Sequence, residues 1–134
     1  MDVYEYFHSR ERECVEHSLV PDTGFARMFG EEDGSNGQRG IVFANLGLTD
    51  RGFLKVWESV VVEGSGIHRE AYSYYLIYDD EQKWAYDRDP DHDPPDHGHE
   101  GPGHERVETG SVTFLQVVER AWDTVTAEET MPTR

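Results

Sequence analysis

From residue 40 to residue 87 the chain alternates apolar-rich segments with short turn sequences, and that rhythm leaves few folds open. Residues 40–48 are apolar and aromatic, and Thr49-Asp50-Arg51-Gly52 reads as a turn. In residues 53–62, Leu54, Val56, Val60 and Val62 fall on one side and Phe53, Trp57 and Val61 on the other, the period-two spacing of a strand. Glu63-Gly64-Ser65-Gly66 is a hairpin loop, because glycine accepts positive φ. In residues 67–78, Tyr72, Tyr74, Leu76 and Tyr78 share a face, and Asp79-Asp80-Glu81-Gln82 leads into a strand at 83–87. Segments joined this closely pair with their neighbours, so the expectation is an antiparallel meander of four to five strands over about residues 40–87.

Helical spacing flanks this sheet on both sides. At the N-terminus Tyr4, Phe7, Cys14, Val15 and Leu19 recur at roughly helical intervals. Asp2 can cap the start, and Pro21, Asp22 and Gly24 end it, which predicts a helix over 2–19. Residues 30–38 have turn composition and are expected to form a mobile surface loop. Near the C-terminus Phe114, Val117, Val118, Ala121, Trp122 and Val125 follow helical spacing without a break. Thr113 and Gln116 form a T-x-x-Q capping box, with Val112 and Val117 as a hydrophobic staple. That predicts a helix over about 113–126 packed on one sheet face, with a frayed polar tail from about Ala127. The fold class is therefore α+β, and residues 1–134 make a single domain.

Composition narrows the function classes. No run of about 18 apolar residues exists, so a transmembrane helix is excluded. The acidic, amphipathic start is no secretory signal, and a lone Cys14 allows no internal disulfide. A cytoplasmic protein is expected. The net charge is −16, with lysine only at Lys55 and Lys83. Such a surface suits a halophilic protein, because molar salt shrinks the Debye length to about 3 Å and screens self-repulsion. The competing reading is an acidic protein from an ordinary cell. In low salt this charge argues against nucleic-acid binding, and in molar salt that argument loses most of its force.

Candidate chemistry concentrates after the last strand. Four of the seven histidines fall within residues 92–104, at His92, His97, His99 and His104, among aspartates, prolines and glycines. Residues 88–104 carry Pro90, Pro94, Pro95 and Pro102 and are expected to form a loop. In an extended segment His97 and His99 project to the same side, with Gly98 between them letting a ligand approach the backbone. Three readings stay open. Imidazoles flanking a reacting group serve acid–base catalysis. His97, His99 and His104 could ligate zinc or another divalent ion. The bland alternative is a solvated His/Asp/Pro loop. Asp87 could orient an imidazole or bind metal, and Arg88 could meet a phosphate, or the two could be a strand-end ion pair. Tyr72 and Tyr74 are either substrate-orienting phenols or packed cross-strand aromatics.

The order of these motifs resembles the TumE toxins of prokaryotic toxin–antitoxin modules. Members show a Y-S-Y-H run, then R-Y-D-N-A-P-H-H, then P-H-H-K-H, then a helix. Here Tyr72, Ser73 and Tyr74 match the first motif, Tyr86, Asp87, Pro90 and His92 the second, and Pro95, His97 and His99 the third. Tyr75, Arg88, Asp91, Asp96 and Gly98 depart from it. The resemblance spans about residues 40–125. It implies a toxin neutralised by a small helix-turn-helix antitoxin, with RNA as the expected substrate and no cofactor. In that scheme His92, His97 and His99 move protons, Asp87 orients one of them, and Arg88, Tyr72, Tyr74 and Tyr86 meet the phosphate.

Overall fold

The computed structural model describes residues 2–16, 27–32, 39–64, 66–101 and 103–130. The element order is α1 (Val3–Glu16), β1 (Arg27–Glu32), β2 (Arg39–Gly47), β3 (Gly52–Glu63), β4 (Gly66–Tyr78), β5 (Glu81–Arg88), β6 (Asp96–Glu100), β7 (Glu105–Glu108) and α2 (Phe114–Thr130). Each strand pairs antiparallel with its sequence neighbours, in the spatial order β1 to β7. The α+β class and the meander are as the sequence predicts, but the described residues hold seven strands rather than four to five.

The extra strands lie where apolar alternation is missing. β6 reads DHGHE and β7 reads ERVE, so neither announces itself as a strand. The proline-rich stretch is only a connection from Asp89 to Pro95, and the expected loop over 88–104 ends there. The chain then returns to pair with β5, with Asp87 opposite His97 and Ala85 opposite His99. β1 takes up residues 30–32 of the expected surface loop, whose remainder at 33–38 lies outside the described residues. So do residues 17–19 of the expected first helix and Pro21, Asp22 and Gly24.

Asp2 caps α1 as expected, its Oδ1 accepting from the Glu5 amide at 2.9 Å. The buried stripe, however, is Val3, Tyr6 and Cys14, while Tyr4 and Val15 face solvent. Tyr6 is turned inward because its hydroxyl finds a buried carboxylate on β3. The capping box of α2 is formed in both directions: Thr113 Oγ1 accepts from the Gln116 amide at 3.1 Å, and Gln116 Oε1 from the Thr113 amide at 2.9 Å. Phe114, Val117, Val118, Ala121 and Val125 are buried, as their spacing predicts. The helix does not fray at Ala127 but runs on to Thr130, with Glu128 reaching Lys83 Nζ at 3.3 Å.

Both helices cover the same sheet face. On it Leu46, Leu54, Leu76 and Trp84 form one cross-strand row, and Ala44, Val56, Tyr74 and Tyr86 the next. Cys14 of α1 and Phe114, Val117 and Val125 of α2 close over them in one core. The opposite face carries the row Phe43, Trp57, Ser73, Asp87 and His97, beneath neither helix. Among the described residues no helix is long and apolar enough to cross a membrane.

Candidate functional site

Strand register assembles the candidate site. Asp87 ends β5 and sits directly opposite His97 on β6. His99, two residues on, projects to the same side by the alternation of a strand. The result is three groups on the open face whose donor atoms all lie within 4.8 Å of one another. His99 Nε2 stands 3.3 Å from Asp87 Oδ2, and His97 Nε2 stands 3.8 Å from the same oxygen. The His97 and His99 rings meet edge to face at 5.2 Å.

The three differ in how they are held. His99 Nδ1 contacts the backbone carbonyl of His104 at 3.2 Å. A carbonyl only accepts, so this nitrogen carries a proton and Nε2 is the one turned towards Asp87. His97 is buried, and its Nδ1 makes no hydrogen bond. Burial above all, then the positive charge of Arg106, lowers the His97 pKa below the usual imidazole value, against the pull of Asp87. His92 is half exposed in the β5–β6 connection, 5.9 Å from the His97 ring, with Nε2 3.4 Å from Asp89 Oδ2. His104 does not join the cluster. It occupies the β6–β7 turn at a φ of 53°, with its ring against Gln82. Among the described residues the group close enough to hold an ion together is Asp87, His97 and His99, and His104 is not part of it. Gly98 faces the other way, and its space is filled: a Cβ there would come within 2.9 Å of Thr109 Cγ2 and 3.0 Å of the Ala85 carbonyl. No ligand approaches the backbone through it.

A cleft of about 470 Å³ leads to this cluster. Trp57 and Ser73 line it on the sheet, Asp87 and His97 close one side, and Asp89 and His92 form the rim. Trp57 is 38% exposed and also walls a second hollow, of about 270 Å³, with Phe43, Lys55 and Tyr75.

The tyrosines expected at the site lie on the helix-covered face. Tyr74 is fully buried, and its hydroxyl bonds Glu58. Tyr72 donates to Asp96 Oδ1 at 2.6 Å, and burial with that carboxylate raises its pKa to about 12. Tyr86 accepts from Arg120 at 2.8 Å. Arg88 bonds Asp96 Oδ2 at 2.7 Å and still borders the cleft. Tyr72 also lines the cleft, as Arg88 does, but its hydroxyl is held by Asp96 on the covered side, and Tyr74 and Tyr86 are not part of the cleft lining.

Sequence reasoning missed the polar centre beneath the helices. Glu58 is wholly buried, accepts from the Tyr6 hydroxyl at 2.7 Å and from Tyr74, and lies 3.3 Å from Arg10 Nε and 3.9 Å from Arg69. Its signal was present: a charged residue at the place where Leu54, Val56 and Val60 demand an apolar one. Arg69 left no such trace. A register shift beside Ser59 and Val60 brings it onto the face of Tyr72 and Tyr74, against simple alternation.

The family model described as Toxin TumE matches residues 10–129. The chain belongs to the TumE toxin family. That span covers most of the protein and includes all seven strands, all of α2 but its last residue, and every residue of the Asp87 cluster. Comparison with curated proteins gave no match, and comparison with solved structures gave none. The structure thus places His97 and His99 on β6, one strand in from the sheet edge, not in a loop.

Proposed function

We propose that this toxin cleaves RNA phosphodiesters in the open-face cleft by imidazole acid–base chemistry. The observation that carries the reading is the convergence of Asp87, His97 and His99 beside a cleft rimmed by a further imidazole, His92. His97, set deepest, takes the proton of a ribose 2′-hydroxyl. The freed 2′-oxygen attacks the neighbouring phosphorus and forms a 2′,3′-cyclic phosphate. His92, at the solvent rim, gives a proton to the departing 5′-oxygen. His97 Nε2 is the accepting atom, and Asp87 stands beside it and beside His99 Nε2, its negative charge favouring the protonated rings. Arg88, at the cleft wall, offers positive charge to the phosphate. Trp57 supplies a face on which a base can stack.

The acidic surface is compatible with this substrate where salt screens the phosphates, so the assay belongs in molar salt with chelator present. Purified toxin is expected to cleave RNA there and to leave a cyclic phosphate end. A single 2′-deoxy residue at the scissile position is expected to block the cut. Cleavage of the deoxy substrate at the same rate would end the mechanism. A small helix-turn-helix antitoxin is the partner we propose, checked by co-expression: it should co-purify with the toxin and restore growth. Failure to bind would remove it.

A further inference from the structure

We propose that Asp87, His97 and His99 form a three-ligand seat for a zinc-class divalent ion, and that the ion holds the toxin in a blocked form. The lone pairs of His99 and Asp87 conflict. His99 Nδ1 spends its proton on the His104 carbonyl. In the neutral ring Nε2 then presents a lone pair to the Asp87 carboxylate, 3.3 Å away. Two electron-rich atoms at that distance call for a cation between them, either a proton or a metal ion.

The dimensions admit a metal ion. Zinc binds nitrogen and carboxylate oxygen at about 2.0–2.2 Å, which sets neighbouring ligands in a tetrahedron roughly 3.4 Å apart. The observed separations from Asp87 Oδ2 are 3.3 Å to His99 and 3.8 Å to His97. All three ligand atoms lie within 4.8 Å of one another, and no hydrogen bond at Nδ1 tethers the His97 ring against closing on an ion. The His104 carbonyl fixes the His99 tautomer from outside, as the orienting partner of a metal-binding histidine does. Two histidines and one carboxylate leave a coordination position open, and two of the three, Asp87 and His97, line the cleft.

An ion on His97 takes the lone pair that would accept the 2′-hydroxyl proton. The blocking therefore rests on the acid–base reading above, while the binding stands apart from it.

The test uses untagged full-length toxin, stripped with chelator and titrated with zinc by calorimetry and with cobalt by visible absorption. One ion per chain is expected, with tetrahedral cobalt bands. Asp87→Asn, His97→Ala and His99→Ala are each expected to weaken binding at least tenfold, with circular dichroism unchanged. His92→Ala and His104→Ala should bind as the parent does, the latter because the carbonyl survives. Absence of one-to-one binding overturns the seat. So does a loss in His104→Ala equal to that in His99→Ala. RNA cleavage with chelator that stops on adding one equivalent of zinc supports the blocked form, and cleavage by the zinc form alone overturns it. Binding without cleavage in either form overturns the RNA reading and leaves the seat standing.

Discussion

Two carboxylates, one on each face of the sheet, define the two halves of this molecule. Glu58 lies under the helices, wholly buried, with two tyrosine hydroxyls on its oxygens and Arg10 beside it. Asp87 lies on the open face, partly exposed, and faces two imidazole nitrogens at 3.3 and 3.8 Å. A carboxylate saturated by fixed donors is committed to structure, because removing a partner strands charge in a dry interior. A carboxylate facing groups that can lose or gain a proton is available for chemistry. The fold therefore keeps its polar stability and its candidate reactivity on opposite sides of one sheet, and mutations should separate them.

The sharpest separation is at His97. In chelator and molar salt, His97→Ala is expected to lower RNA cleavage by about 10²–10⁴-fold, the usual worth of a proton-transferring group. Its melting temperature should stay near that of the parent. Equal cleavage by the variant would erase the distinction from the chemical side. The converse is Glu58→Gln, which leaves Arg10 and Arg69 beside a neutral amide. Breaking a buried pair this way costs about 3–5 kcal/mol. Denaturant titration should show that loss, and a cost under about 1 kcal/mol would mean that Glu58 does not hold the helices down. Trp57→Ala comes next. On the open face it should scarcely change stability, while weakening binding of a single-stranded RNA by about 1–3 kcal/mol per stacked base. Unchanged RNA affinity would remove Trp57 from the cleft's function.

How much of this was legible before the structure depended on burial. The covered face is written in alternation: Leu54 and Val56, or Tyr72, Tyr74, Leu76 and Tyr78, are buried as their spacing demands. α2 is legible for the same reason, since Phe114 through Val125 must bury one stripe. β6 and β7 were not, because one face of β6 carries histidines and the other carries Gly98, so no apolar period exists to detect. The pairing of His97 with His99 on one side needed only the local extended geometry. Their meeting with Asp87 needed the β5–β6 register, which is a tertiary fact. The division of Tyr72, Tyr74 and Tyr86 from the histidines follows from that register too. Alternation alone places Tyr86 and Asp87 on opposite sides, and the family motif, read as a string, hides this.

The smallest effect tests whether the two faces are independent. Thr113 caps α2 through reciprocal bonds with Gln116 at 3.1 and 2.9 Å, and α2 covers only the Glu58 side. Thr113→Ala removes the cap and should cost about 1 kcal/mol in denaturant titration. If the faces are separate, the cleavage rate under native conditions should not move, because the strands carrying Asp87, His97 and His99 keep their pairing. A fall in cleavage larger than the loss of folded protein would show instead that α2 transmits strain to β5 and β6. The Arg120 contacts to Glu100 at 2.8 and 2.9 Å and to Tyr86 at 2.8 Å are the physical route by which it would do so.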